Sequence, residues 1–146
     1  MQTLTQDTTN LLKECSAGVR MAVASIDGVM DYVMNDTLKH FLSDSKTKHE
    51  AIGRDIDKLL NQTGEEGKEP PTMAKMMSWI KINYGLTKSP TDKEAASLVY
   101  DGCNMGIKTL YEYLNTYTTA DATSKELAHK LITEEEKLIS CLRNFV

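Results

Sequence analysis

The sequence specifies an all-α fold, an antiparallel four-helix bundle with one long connection between its second and third helices. Three observations carry that reading. Apolar residues recur at the 3.6-residue helical period in four separate stretches. The three prolines, Pro70, Pro71 and Pro90, are confined to one middle section. Strand signals are weak, because no Asn-Gly or Asp-Gly pair joins alternating segments and no internal repeat is present.

The first helix is expected over about residues 4–34, on the 4-3-4-3 stripe Leu11, Cys15, Gly18, Ala22, Ile26, Val29 and Val33. Asn35, Asp36 and Thr37 supply capping chemistry and a tight link, which favours an antiparallel neighbour. The second helix, 36–62, carries the stripe Leu38, Leu42, Ser45, His49, Ile52, Ile56 and Leu59. A crossover over 63–89 follows. It opens as a loop, "NQTGEEGKEPPT", and contains a short extra helix, "MAKMMSWIKI", with the only tryptophan, Trp79. Ser89 as N-cap, Pro90 at the first helical position and Asp92 two residues on predict the start of a third helix, 90–117. Its apolar face is Ala96, Val99, Tyr100, Cys103, Ile107, Leu110 and Leu114. The fourth helix, 121–145, presents Leu127, Leu131, Glu135, Leu138, Leu142 and Phe145. Two helical hairpins joined by one crossover is the ferritin-like connectivity.

The chain has 146 residues, with 17 basic and 21 acidic side chains and a net charge of −4. That size suits a single domain, 1–146. No basic patch for nucleic acid is present, and no apolar run is long enough to span a membrane. The polar start "MQTLTQDTTN" argues against a secretory signal, so a cytoplasmic protein is expected. Cys15, Cys103 and Cys141 are odd in number and form no CxxC pair; they read as reduced thiols acting as small hydrophobes.

Several polar residues fall on the inner faces. His49 is central on the second helix, and Glu135 nearly central on the fourth with Glu134 on its border. Glu14 is at the edge of the first helix, and Asn104 lies beside Tyr100 and Tyr111 on the third. Such groups are costly to bury unless paired, which leaves two readings. One is a satisfied pair between His49 and Glu135 or Glu134; the other is a metal site. Carboxylate-bridged di-iron bundles use Glu-x-x-His on two helices, because residues three apart share one helix face. Here Lys46 stands three before His49, and Leu138 three after Glu135. The literal match "ELAH", Glu126 to His129, is off the stripe and reads as a solvated face. The intact di-metal pattern is therefore missing.

"LLKECSAGVRMAVASI", "LKHFLSDSKTKHEAIGRDIDKL", "MAKMMSWIKI", "YDGCNMGIKTLYEYL" and "ITEEEKLISCLRNF" together resemble a bacterial family of ferritin-like four-helix-bundle proteins of unknown function. The resemblance covers nearly the whole chain. It implies Glu14 as the first-helix carboxylate, His49 as the second-helix histidine, and Glu134 or Glu135 as the fourth-helix acid. Lys46 stands where that pattern has glutamate, and Asn104 or Asp101 where it has the third-helix carboxylate.

The expectation is a non-catalytic bundle whose di-metal site has become a buried polar network, with no cofactor. An iron, manganese or other divalent ion held by His49, Glu135 and Glu14 is the alternative. A homo-oligomer through helical faces is expected too. Leu98 and Met105 read as pointing outward from the third helix, and Met73, Met76 and Met77 crowd the crossover. No nucleophile–histidine–acid pattern and no glycine-rich phosphate loop is present.

Overall fold

The computed structural model describes residues 5–65 and 91–146. Among these residues the secondary structure is wholly helical, in four helices: α1 (Gln6–Met30), α2 (Asp36–Gln62), α3 (Asp92–Thr116) and α4 (Ala122–Leu142). The expected crossover helix with Trp79, the methionines Met73, Met76 and Met77, and the Ser89 cap lie outside the described residues.

Each helix begins on a side-chain oxygen that accepts a backbone N–H three residues on. Thr5 caps Thr8, Asn35 caps Leu38, Thr91 caps Glu94 and Asp121 caps Ser124. The α3 start corrects the expectation of Ser89. Thr91 and Glu94 form the S/T-x-x-E arrangement, and the Thr91 hydroxyl also donates to the Glu94 carboxylate at 3.2 Å. α1 stops at Met30 rather than near 34, although its stripe continues to the buried Val33 in the following turn. α2 ends in a Schellman motif. Gly64 takes φ +80°, its N–H donates to the Asn61 carbonyl, and the Glu65 N–H donates to Leu60.

The chain ends of these helices define their directions. The Asp92 carboxylate, at the start of α3, accepts from the backbone N–H groups of Met34 and Asn35 at 2.8 and 3.1 Å. The Asp7 carboxylate, at the start of α1, accepts from the Thr119 N–H and hydroxyl at 3.0 and 2.6 Å. Glu65 pairs with Lys13 at 2.8 Å. Hence α3 starts at the end of the bundle where α2 starts, the two run parallel, and Glu65 and Thr91 lie at opposite ends. Around the bundle the order is α1, α2, α4, α3. α1 and α4 also meet across the diagonal, while α2 and α3 scarcely touch.

The core is split in two. The lower cluster contains Leu11, Leu12, Val19, Ile56, Leu60, Leu127 and Leu131, and the upper contains Ile26, Val29, Leu38, Leu42, Leu98, Leu138 and Leu142. Leu60, fully buried, closes the α2 stripe that the sequence pattern had ended on Leu59. Leu98 is also buried, which corrects its outward reading; Met105 is exposed. The buried arc of α3 is turned towards Ala95 and Leu98, with the half-buried Gly102 at its edge, and away from the exposed Asn104 and Tyr111. Two glycines on that arc, Gly102 and Gly106, hide it from a count of apolar side chains.

At one point the backbones press close. A Cβ on Gly53 of α2 would stand 2.9 Å from Cγ1 of Val19 on α1. Gly53→Ala is therefore expected to lower stability by about 1–3 kcal/mol of overpacking, partly offset by alanine's better helix propensity. Adding Val19→Ala should recover part of that loss. Urea unfolding of the three variants checks this, and strictly additive costs would count against the contact.

A buried polar layer beside the α1–α3 cleft

Between the two apolar clusters lies a polar layer built from α2 and α4. His49 is 1% exposed and Glu135 7%. His49 Nδ1 is 2.8 Å from the carbonyl oxygen of Ser45, one turn earlier on the same helix. A carbonyl only accepts, so Nδ1 carries a proton, shared with the Ser45 hydroxyl oxygen at 3.3 Å. That bond aims Nε2 across the bundle at Glu135 Oε1, 3.2 Å away.

The proton between Nε2 and Oε1 is favoured on the ring. Burial is the largest single influence on His49 and works against its charge. The hydrogen bond and charge of Glu135, the Ser45 carbonyl and the nearby Glu134 together outweigh it, and the pKa rises above the ordinary 6.5. Glu135 thus favours the charged form of the buried ring, and Cys103 of α3 stands beside the pair. Burial, then the negative charge of the neighbouring Glu135, push the Cys103 pKa far up, so it stays a thiol. A Cβ at Gly106 would lie 3.4 Å from Oε1, so a bare backbone there lets the carboxylate rest against α3.

The other expected residues are placed differently. Glu134 lies about 100° round α4 from Glu135, its carboxylate 3.5 Å from Lys137, and borders a surface groove with Lys48 and His129. Lys46 does not enter the layer; its ammonium sits 2.7 Å from Asp27 of α1 on the bundle flank. Asn104 and Asp101 are exposed on α3, so neither supplies a third-helix ligand. The inner-face reading of Asn104 fails because the buried arc is rotated away from it. Glu126 and His129 are exposed.

Glu14 lines a cleft between α1 and α3 whose floor includes His49 and Glu135. Burial, and then the neighbouring Glu14 carboxylate, raise the Tyr113 phenol to about 12. Cys15, facing the lower cluster, is raised to about 12 by burial and by Glu14. Among the described residues no three His, Cys, Asp or Glu side chains are disposed to hold a metal ion. Cys103, read from the sequence as a packing residue, is the member of the layer that sequence reasoning missed. Its spacing on the stripe was visible, but a thiol is as apolar as its neighbours, and the Glu135 beside it lies on another helix.

No protein-family model and no curated protein matches the sequence. A solved relative exists at the level of fold. The crystal structure of a DUF305 fragment from Deinococcus radiodurans aligns with a TM-score of 0.76 over 98% of this chain and 97% of that chain, at 13% identity. At that identity the likeness concerns the fold alone. No helix among the described residues is long and apolar enough to cross a membrane.

His49→Ala, which strands a buried carboxylate, should cost about 3–5 kcal/mol in urea unfolding. His49→Leu combined with Glu135→Leu should recover most of that loss; a double variant as unstable as His49→Ala would contradict the pairing. The sign of the pH dependence follows from the raised pKa. Stability gained from the charged ring is complete below the unfolded value near 6.5 and is lost as pH climbs through the higher folded value. The stability margin of the wild type over His49→Gln should therefore shrink from about pH 6.5 upward. A margin that grows with pH would contradict this assignment.

Proposed function

We propose that this chain is a non-catalytic four-helix bundle of ferritin-like connectivity, in which an imidazolium–carboxylate pair occupies the mid-bundle place of a di-metal site. The observation that carries the reading is the commitment of both His49 ring nitrogens, Nδ1 to the Ser45 carbonyl and Nε2 to Glu135. A metal would need the Nε2 lone pair, and therefore the proton that binds α2 to α4. Lys46 paired with Asp27 and Glu134 paired with Lys137 support the same reading. The parallel course of α2 and α3 supports the ferritin-like connectivity. Such a bundle acts as a structural or interaction module within one domain, 1–146.

A reducing, cytoplasmic setting belongs to the proposal and is supported by the free thiols Cys15, Cys103 and Cys141. Homo-oligomerisation through helical faces belongs to it too, supported by the exposed Met105 and Tyr111 on α3. The competing reading is one divalent ion on His49, Glu135 and Glu14, which share the cleft.

Metal counting separates the two. Protein purified and then incubated with Fe(II), Mn(II) or Zn(II) should retain far less than one equivalent of each after desalting. A stoichiometric ion, lost in His49→Gln, would replace this proposal with the metal reading. Light scattering over a concentration series should show self-association, and a monomer at every concentration removes that part.

A further inference from the structure

The cleft between α1 and α3 is not explained by packing. It encloses about 110 Å³, the scale of the ~150 Å³ apolar cavities that admit a single benzene ring. Glycines keep it open. Among the described residues a Cβ built on Gly18 or on Gly102 meets nothing within 4 Å, so neither serves a close crossing of these helices of the kind Gly53 makes. Both still carry the entropic penalty of a glycine inside a helix. The walls are mainly apolar, with Val99 and Leu110 from α3 and Leu131 and Leu138 from α4, and with Ser25, Thr109 and Tyr113 at their polar points.

Polar chemistry is concentrated where the floor meets the polar layer. The Glu135 carboxylate takes a bond from His49, and an ionised carboxylate offers about four acceptor directions, so capacity for a further donor remains. The imidazolium beside it leaves the pair with no net charge. An entering anion would meet two carboxylates, Glu135 and Glu14. An apolar cavity with few, convergent polar groups is the usual form of a small-molecule site.

We infer that the α1–α3 cleft binds a small uncharged molecule with an apolar body and one hydroxyl group, the body lying between the α3 and α4 side chains and the hydroxyl donating to Glu135. The inference goes beyond the proposed function and does not depend on it, since it stands or falls on organic-ligand binding rather than on metal content.

Phenol is the probe, titrated calorimetrically into the full chain, with amide chemical shifts followed in parallel. Saturable one-to-one binding is expected, with the Gly18, Gly102 and Gly106 amides among those shifted. Toluene, lacking the donor, should bind about three- to tenfold more weakly, the worth of one hydrogen bond. Benzoate should not bind. Gly102→Leu, whose Cβ meets no neighbour among the described residues, should keep the circular dichroism of the wild type and lose binding. If that variant unfolds, Gly18→Leu fills the cleft from the opposite wall and gives the same readout. The inference is overturned by no saturable phenol binding, by toluene or benzoate binding as tightly as phenol, or by unchanged affinity in a folded glycine variant.

Discussion

One hydrogen bond, His49 Nε2 to Glu135 Oε1, joins α2 to α4 at the middle of the bundle. Everything near it is arranged to make that burial tolerable. A lone imidazolium or carboxylate in an apolar core would be strongly destabilising, and the usual escape is loss of the charge. Here each charged group is the other's partner, and the Ser45 carbonyl holds the far side of the ring. The result is a polar stratum between two apolar clusters, and both clusters can pack without sharing it. A directional bond of this kind also penalises a one-turn slip between α2 and α4, which uniform apolar faces would permit.

Glycine has two opposite uses in this bundle. At Gly53 it removes a Cβ that would collide with Val19, so α1 and α2 approach closely. Gly18 and Gly102 instead meet no neighbour among the described residues, so the α1–α3 seam stays loose there. Tight contact on one side of α1 and a cleft on the other fit a cross-section in which α1 meets α4 diagonally while α2 and α3 stay apart. The cleft reaches the polar layer because no side chain at Gly102 or Gly106 covers it.

Two aspartates close the ends. Asp92 binds the turn between α1 and α2, and Asp7 binds the turn between α3 and α4. Both sit in the first turn of a helix, where a negative charge also faces the favourable end of the macrodipole. For Asp7 the hydroxyl and amide of Thr119 hold the carboxyl below its usual pKa. These clips make α2 and α3 parallel neighbours in the chain, and so require a connection between opposite ends of the bundle.

Local signals were legible in the sequence and nonlocal ones were not. Helical periodicity placed all four helices, and it put His49 and Glu135 on inner faces, because burial repeats with the helix and leaves its period in the residue order. The choice between Glu134 and Glu135, one position apart, needed the packed bundle. The same holds for Lys46, whose partner Asp27 lies on α1, and for Asn104, which depends on how α3 is rotated about its axis. Even the α3 cap was present as Thr91 and Glu94, but Ser89 and Pro90 offered a competing start of equal local quality. What the sequence by itself determined was which residues must turn inward. Which partner each meets there, and where an inward glycine leaves a space, was decided only by tertiary structure, because helix rotation and helix–helix distance are set by side chains far apart in the chain.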